Sequence, residues 1–600
     1  GGFILYNVRK DWRDLFRRLQ SAMRWDDDYH QRELAPAGSQ LRAFAMGRRF
    51  IPISKVTFDN RYHSILFGEI YAQNKTGQED IHRALLRRWL ASGAQALSET
   101  DGAFLLLVWD DAEQKLFIAN DAFGLFPLNY ANRPDGFFFA SQLTALATLL
   151  NRAEFDEQAL AERMFLGFPL NGRTYLKDVR RLPPGSLLEF RDGHVNVSRY
   201  FRPMYDYQTR RPLQERLRAV EQLFASAVQK RYRPDERAAI ALSGGFDTRL
   251  IWSVALNKGL DAAAATHGAS RSADMVIARQ IAAGLKLPHS AFDLDALPAQ
   301  QFPDWSEELI RMSDGLMPAS AFFIIPYYRF LQQNFDVLID GAGGALYRRQ
   351  HAATFEWQQK RGLSPESFTF RLFLKPAFKH RDLFPAWKQD FTEPIRQELS
   401  DYFTRTSPLG APADRIDLFY LQQIVGLLYS ADFLLQTHFI NCREPFYDLQ
   451  LFAAGRTFSP QERKKLFIHR HIIERNFPAL TEYPLEFQDY ALPYRGFLWK
   501  RMTAAATDRF HLPFAGRRLQ KFPPLFDQAA FLRRHGRDYL FDLLLASGAQ
   551  TGRRAAPKAL EKILNEHFGG TTDHTGLLFQ LLGLELTLRL FNRLLTGSKL

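Results

Sequence analysis

Short apolar runs separated by turn residues recur through roughly the first 200 residues of the chain. GGFILY, ILFGEIY, DGAFLLLVWD, KLFIAND and GFFFAS each have the length of a buried strand. Two longer stretches, IHRALLRRWLASG and QLTALATLLNR, carry apolar residues at helical spacing. A strand-rich sequence with a few helices predicts a layered α+β domain, a sandwich, which we place at residues 1–202.

The pattern changes after residue 203. An amphipathic helix, PLQERLRAVEQLFASAVQKRYR, precedes the buried strand AAIAL, the glycine turn SGG and a helix that ends at Gly259. NFDVLIDGAGG repeats the order of strand and glycine turn. This alternation predicts an α/β domain with a parallel sheet, which we place at residues 203–510. A helical, basic extension is expected at 511–600.

Composition narrows the class of protein and its setting. Hydrophobic residues make up 46% and charged residues 24%, which is typical of a folded globular protein and excludes global disorder. One cysteine, Cys442, excludes an intrachain disulfide and a cysteine-rich metal site. We see no signal peptide and no uncharged apolar run near the length of a membrane span, so we expect a cytoplasmic protein.

The charge balance favours an anionic partner. Lys and Arg number 78 against 65 Asp and Glu, a formal net charge of +13. Such an excess suits a nucleotide or an acidic substrate, although a solvated basic surface explains it equally well. No zinc-finger spacing or basic zipper is present, so we expect no nucleic-acid partner.

The segment LSGGFDT, between a predicted strand and a predicted helix, carries the first candidate chemistry. Its glycines let the backbone approach a ligand, and the helix start offers N–H groups and a positive dipole end to phosphate. Asp247 suits a Mg²⁺ ion that bridges phosphate oxygens. An ordinary turn is the alternative, and the Walker lysine is missing. The predicted nucleotide-binding residues are Leu242, Ser243, Gly244, Gly245, Asp247 and Thr248.

Six further segments, in chain order, resemble signatures of the asparagine synthetase family. They are GEIY at 68–71, DGAF at 101–104, DAFGLFPL at 121–128, FAS at 139–141, RLPPG at 181–185 and REPFYD at 443–448. The SGG-x-D turn itself resembles the pyrophosphate loop of ATP pyrophosphatases. The resemblance covers about residues 1–500. It implies an Ntn-hydrolase-like, class II glutamine amidotransferase domain followed by an ATP-pyrophosphatase domain.

The chain departs from the family pattern at the glutaminase residues. Glutamine-dependent members have a cysteine nucleophile at the mature N-terminus, where Gly1 stands here. The asparagine that helps to form their oxyanion hole corresponds to Phe67. Glycine offers no thiolate, and Cys442 lies in the other half of the chain. The resemblance therefore implies an amidotransferase fold without glutaminase activity.

A second departure concerns the expected metal site. DGAGGAL at 340–346 resembles the family's second nucleotide loop, with Gly341 and Gly343 retained. The aspartate and glutamate of that loop are here Ala345 and Leu346. Loss of one carboxylate from a two-carboxylate site should weaken Mg²⁺ binding. Three other carboxylates are candidates to compensate: Asp274, Asp314 and Asp340.

A basic residue near the reaction centre is also expected from the resemblance. The segment LPYRGFLWKR offers Arg495, which stays protonated, and Lys500, which is better suited as a base. Both are equally compatible with exposed surface cations. His469 and His471 stand two residues apart and point to different sides of a helix, so we expect structural or exposed roles for them.

The resemblance implies an activity. ATP-dependent members activate a carboxylate as an acyl-adenylate, release pyrophosphate and form an amide. Members without the N-terminal cysteine include β-lactam synthetases and lasso peptide macrolactam cyclases. We therefore expect an ATP- and Mg²⁺-dependent ligase for a peptide or small-molecule natural-product precursor, of the cyclase type, with a precursor-delivering or protease partner. The alternatives are an enzyme that uses free ammonia and an impaired scaffold that binds a nucleotide or a partner.

Overall fold

The N-terminal region is a sandwich of two antiparallel six-stranded sheets. The computed structural model describes residues 2–6, 12–72, 77–150, 153–204, 211–348, 350–380, 382–498 and 521–596. In spatial order, the first sheet contains Arg180–Arg181, Asn129–Arg133, Gly136–Ala140, Gly2–Tyr6, Leu41–Arg48 and Tyr29–Leu34. The second contains His194–Arg199, Ser186–Arg191, Lys115–Asn120, Gly102–Asp110, Tyr62–Ile70 and Ile53–Phe58. The expectation of a layered α+β domain is confirmed.

The strand Gly102–Asp110 shows why its sequence is apolar without interruption. Alternate side chains of a strand point to opposite faces. Leu105 and Leu107 face the first sheet, whereas Leu106 and Val108 pack against helix Gln78–Ser92. Because both faces of the strand are buried, its sequence does not alternate between apolar and polar residues. The other helices of this region are Trp12–Met23, Ala94–Ser98, Leu143–Ala147 and Glu157–Phe165.

The second region is built on a five-stranded sheet, and all its strand pairs are parallel, as the alternation of strands and helices predicted. Its spatial order is His289–Asp293, Ala263–Gly268, Ala238–Ala241, Val337–Ile339 and Asn441–Arg443. Helix Leu213–Arg231 precedes the first of these strands in the chain, and the helices between them include Phe246–Lys258, Ala273–Leu285, Phe302–Met312 and Ile324–Asn334. Because Ala238–Ala241 and Val337–Ile339 are neighbours, the two glycine turns that follow them meet at one edge.

Helices dominate the rest of the chain. They are Gln350–Gln359, Pro365–Phe373, Pro376–Lys379, Pro385–Arg405, Pro412–Phe419, the π-helix Tyr420–Tyr429, Ser430–Gln436, Leu449–Gly455, Pro460–Lys464, Phe467–Asn476, Gln528–His535, Arg537–Leu545, Pro557–Phe568 and Thr575–Thr596. A small hairpin pairs Leu485–Phe487 with Tyr490–Leu492. The last helix contacts Leu143–Ala147 of the sandwich and Phe302–Met312 of the second region, so it joins the two.

One continuous helical stretch in the described part of the chain, Pro412–Gln436, is long and apolar enough to cross a membrane by length and composition alone. The sequence reasoning did not single it out. In the fold, 72% of its most apolar 18-residue stretch is buried against other parts of the protein, as in the core helix of a globular domain.

A buried ion-pair network joins the sandwich to the parallel sheet. Arg443 Nε donates to Glu69 Oε2 at 2.8 Å, and its Nη2 donates to Glu69 Oε1 at 3.0 Å. Arg443 also pairs with Glu236, and Arg233 donates to Glu69 at 2.8 Å. Glu69 and Arg443 are both buried. Burial removes the hydration of both charges, so the attraction between them must offset the cost of desolvation.

A second cluster of charges lies beside the first. Arg231 Nη2 donates to Asp101 Oδ1 at 3.2 Å, and Lys230 Nζ bridges Asp101 and Asp448 at 3.3 and 2.6 Å. The segments 68–71, 101–104 and 443–448, which carried part of the family resemblance, therefore meet at the contact between the two regions.

We expect Glu69→Gln to lower the free energy of unfolding by about 3 kcal/mol or more, because Arg443 would keep a buried charge with poorer compensation. Urea unfolding measures this change. Glu79→Gln is the control, since its exposed pair with Arg83 spans one helical turn and contributes about 0.5 kcal/mol at most. Equal effects of the two substitutions would contradict the role given to the network.

The same contact predicts a pH dependence. Burial alone would raise the pKa of Glu69, but Arg443 and Arg233 hold this pKa below its ordinary value of 4.5. The stabilisation is therefore complete above about pH 4.5 and is lost as the pH falls through the depressed folded-state pKa. We expect the stability difference between the wild-type protein and Glu69→Gln to narrow in acid.

Candidate functional site

The first glycine loop lies at the carboxyl edge of the parallel sheet, between strand Ala238–Ala241 and helix Phe246–Lys258. Its backbone N–H groups are held by side chains of the protein. Ser243 N–H donates to Thr248 Oγ1 at 3.2 Å, and Gly245 N–H donates to Ser243 Oγ at 3.2 Å. Leu242 is buried in the sheet. The structure thus brings the predicted nucleotide-binding residues of this segment into one turn.

Gly244 is required by close contacts on both sides. A Cβ atom there would lie 2.5 Å from the Cβ of Glu486 and 3.2 Å from Asp274 Oδ1. The carbonyl of Gly244 accepts the N–H of Glu486 at 2.9 Å, and its N–H donates to Asp274 Oδ1 at 2.7 Å. The hairpin that carries Glu486 therefore covers the loop, and a carboxylate caps the N–H group that a phosphate would use.

The second glycine loop packs directly against the first. A Cβ on Gly341 would lie 3.2 Å from Thr248, and a Cβ on Gly344 would lie 2.2 Å from Asp247 Cγ. Gly343 adopts a φ of 89°, which favours glycine. Gly341 and Gly343 thus form the turn that was expected of them, and Gly344, which the sequence reasoning did not single out, makes the closest approach.

The carboxylate of Asp247 is held by two nitrogen donors. Arg348 Nη2 donates to Oδ2 at 2.7 Å, and His469 Nε2 donates to Oδ1 at 3.2 Å. Burial alone would raise the pKa of Asp247, but Arg348 and His469 hold it below its ordinary value. Burial lowers the pKa of His469, which is therefore neutral near pH 7. Asp247 is an anion whose charge is balanced by Arg348.

The two histidines have different surroundings, as expected from their spacing. His469 is fully buried and contacts Asp247, the predicted metal ligand. His471 lies outside this cluster and forms a hydrogen bond of 2.9 Å with Glu221. The sequence reasoning missed both His469 and Arg348 as site residues. The only available signal for Arg348 was its position directly after the second glycine loop.

The residues present do not fit the expected two-carboxylate Mg²⁺ site. Both oxygens of Asp247 face nitrogen donors, Ala345 offers no ligand and Leu346 is buried. Within the described ranges, no group of three or more His, Cys, Asp or Glu side chains has the arrangement of a metal site.

The three carboxylates named as candidates to compensate have other partners. Asp314 caps helix Leu143–Ala147 by accepting the N–H groups of Leu143 and Thr144 at 2.7 and 2.9 Å, away from the loops. Asp340 lies at the site, where Oδ1 accepts the N–H of Gly341 at 2.7 Å and burial raises its pKa. Asp274 accepts the N–H of Gly244, as described above.

A cluster of buried polar groups continues the site beyond Asp247. Tyr420 and Tyr429 of the π-helix share a hydrogen bond of 3.2 Å between their hydroxyls, and both sense the charges of Asp247 and Arg348. Burial raises the pKa of Glu444 well above its ordinary value. Within the part of the chain that the structure describes, Glu444 Oε2 and Tyr447 Oη have no hydrogen-bond partner. Such atoms are costly, and they suit a polar ligand that enters this space.

The remaining predicted residues lie elsewhere or outside the described residues. Arg495 is exposed, and Lys500 and Gly1 belong to the ranges that are not described. Phe67 is buried between the two sheets of the sandwich, with its ring centroid 4.9 Å from that of Phe126. Cys442 is buried in the parallel sheet, where burial raises the pKa of its thiol well above the ordinary value.

Comparisons with known proteins agree with this architecture. Residues 70–201 match a family model described as a glutamine amidotransferase domain, and residues 219–479 match one described as asparagine synthase. Asparagine synthetase [glutamine-hydrolyzing] 1 of Bacillus subtilis is 30% identical over 213 residues, which are 33% of each protein. The human asparagine synthetase is 28% identical over 200 residues, 31% of this chain and 34% of that protein.

A fungal relative is similar over a comparable length. Amidase chyE of Penicillium rubens is 25% identical over 213 residues, 32% of this chain and 30% of that protein. Each of these alignments spans about a third of the relative's length. Both domain types are therefore matched in the order expected from the sequence, and the chain is similar to asparagine synthetases in each of its two regions.

We expect Arg348 and Asp247 to show an interaction energy of about 1–3 kcal/mol in a double-mutant cycle with Arg348→Gln and Asp247→Asn. The reason is that either single change leaves a partly buried charge without its oppositely charged partner. Urea unfolding of the four proteins provides the measurement. The matched control is the exposed pair of Arg237 and Asp336, which is also 2.7 Å apart and should give about 1 kcal/mol or less.

Proposed function

We propose that this chain is an ATP-dependent amide ligase that activates a carboxylate as an acyl-adenylate, releases pyrophosphate and joins the acyl group to an amine. The match of residues 219–479 to the asparagine synthase family model supports this class of reaction. The observation that carries the proposal is the meeting of the two glycine loops beside the unpartnered polar atoms of Glu444 and Tyr447. Ligands of parallel α/β sheets bind at this edge.

The residues around the loop have properties that suit phosphate groups. The hydroxyls of Ser243 and Thr248 and the start of helix Phe246–Lys258 would hold the phosphates of ATP, which when bound supplies the adenylyl group. Burial raises the pKa of Asp274, whose carboxylate accepts the N–H of Gly244 and would have to move away before a phosphate oxygen could accept that N–H. Arg348 stands within the same cluster and would balance negative charge.

The substrate end of the site is assigned to the buried cluster beyond Asp247. Burial raises the pKa of Glu444 well above its ordinary value, and the protonated carboxyl can donate to a carbonyl or carboxylate oxygen, while the hydroxyl of Tyr447 can donate or accept. We therefore propose a peptide or small natural-product precursor as the substrate. Ring closure of the lasso macrolactam type is the favoured reaction, with a partner that delivers or trims the precursor in the cytoplasm.

The amine is proposed to come from the substrate and not from glutamine. Phe67, which the family resemblance aligns with the oxyanion-hole asparagine, has an apolar ring that packs on Phe126. Glu69 and Asp101, in the neighbouring signatures, are engaged by Arg443 and Arg231. In this proposal the N-terminal domain, of the Ntn-hydrolase type, supports the ATP-pyrophosphatase-type domain without hydrolysing glutamine. Free ammonia is the alternative amine.

A second candidate function is a scaffold that binds a nucleotide or a protein partner without turnover. The contacts that favour it are those that close the site: Asp247 is paired with Arg348 and His469, and Asp274 caps the N–H of Gly244.

We expect pyrophosphate release from ATP and Mg²⁺ in the presence of candidate precursor peptides, and a loss of about a hundredfold or more in Asp247→Ala, because that change dismantles the charge arrangement beneath the loops. A coupled phosphate assay measures the rate. Asp235→Ala, an exposed carboxylate, is the control and should leave the rate unchanged. ATP binding by calorimetry without pyrophosphate release, with precursors or ammonia, would favour the scaffold.

We expect no glutamate production when the protein is incubated with glutamine, ATP and a precursor. The physical reason is the apolar ring of Phe67 at the oxyanion position. Glutamate is measured by a dehydrogenase-coupled assay, with the heat-denatured protein as the blank. Glutamate production at a rate that falls on Phe67→Ala would refute the proposal that the protein lacks glutaminase activity. Incorporation of ¹⁵N-ammonium into the product would show that free ammonia, and not an amine of the substrate, is the amine donor.

A further inference from the structure

A cavity of about 510 Å³ lies on the far side of the π-helix from the glycine loops. Its walls come from the RLPPG segment at 181–185, from residues 199–203, from the end of helix Pro385–Arg405 and from Tyr420–Tyr429. Prolines and leucines form much of the surface: Pro169, Pro183, Pro184, Leu409, Leu418 and Leu427. This volume lies within the range of pockets that hold organic ligands.

The cavity is strongly basic. Among the described residues that line it are five arginines and no aspartate or glutamate. Two of the arginines have structural partners, since Arg173 pairs with Glu398 and Arg181 donates to Asn129 at 3.3 Å. The other three are Arg199, Arg202 and Arg405.

These three guanidinium groups are not neutralised by the described part of the protein, where none has a carboxylate within ion-pair distance. They come from three places in the chain: the end of strand His194–Arg199, the segment after it and the last turn of helix Pro385–Arg405. Burial lowers the pKa of Arg199, and the charges of Arg405 and Arg202 lower it further. Three like charges at one concave surface create a positive potential that a bound anion would relieve.

We propose that this cavity binds a peptide segment in which acidic side chains alternate with apolar ones. Guanidinium groups recognise carboxylates through paired hydrogen bonds, which accounts for the arginines. An inorganic anion would contact the arginines but would leave the proline and leucine walls uncovered, whereas these walls suit the apolar side chains of a peptide. The positive charge of the arginines and the apolar walls of the cavity together therefore favour an acidic, partly apolar peptide over free phosphate.

The π-helix connects this cavity with the site described above. Gln423 and Gly426 line the cavity, while Tyr420 and Tyr429 of the same helix sense the charges of Asp247 and Arg348. Gly426 packs so closely that a Cβ would lie 2.3 Å from Pro184 Cγ. A peptide in the cavity would thus lie one helix away from the glycine loops. The binding proposal does not depend on catalysis, because it concerns the free protein without ATP.

The test uses a dye-labelled ten-residue peptide of alternating glutamate and leucine, and its counterpart with glutamine in place of glutamate. Fluorescence anisotropy at low and moderate salt measures binding to the full chain. We expect the glutamate peptide to bind at least about tenfold more tightly than the glutamine peptide. The double variant Arg202→Gln, Arg405→Gln should lose about tenfold or more of that affinity, because each exposed guanidinium would contact a carboxylate.

The matched control is the double variant Arg218→Gln, Arg371→Gln, which removes the same two charges from exposed helix positions outside the cavity. Its affinity should stay within about twofold of the wild-type value, and thermal unfolding should show both variants folded. Equal binding of the two peptides, or equal losses in the two double variants, would overturn the proposal. Binding of pyrophosphate in competition with a fluorescent phosphate probe, without binding of the glutamate peptide, would also overturn it and indicate a phosphate site.

Discussion

The buried contact between Glu69 and Arg443 is the interaction on which the arrangement of the two regions depends. Neither charge has access to water, so the strand that ends at Arg443 must meet the sandwich within hydrogen-bond distance. The carbonyl of Arg443 accepts the N–H of Asp340, the first residue of the second glycine loop, at 3.1 Å. Glu444 follows directly in the chain. The contact between the domains therefore also sets the position of the candidate site.

This arrangement gives a structural role to two carboxylates in the N-terminal segments that resemble family signatures. The carboxylates of Glu69 and Asp101 hold Arg443 and Arg231 across the contact, and their removal would leave buried cations. Phe67 has an apolar side chain that compensates no charge, and its ring packs between the two sheets against Phe126. Glu69 and Asp101 therefore contribute to stability through the contact between the two regions.

The sequence predicted the features that are encoded locally. Continuous apolar runs indicated strands buried on both faces, and the order of strand, glycine turn and helix located both loops. Contacts between distant segments were not predictable, because Arg348 and His469 reach Asp247 from 101 and 222 residues away. The spacing of His469 and His471 described only their own helix and carried no information about what packs against it. The closure of the first loop by Asp274 and Glu486 is likewise a tertiary effect.

The hydrogen bond between Tyr420 and Tyr429 has a consequence for how this helix tolerates changes in length. At 3.6 residues per turn, residues nine apart lie on opposite faces of an α-helix. The wider π-helix has roughly 4.4 residues per turn, so nine residues complete about two turns and return to the same face. Deleting one residue between the tyrosines would restore ordinary winding and separate them. In this segment, insertions and deletions are therefore more disruptive than most substitutions, and the number of residues matters as much as their identity.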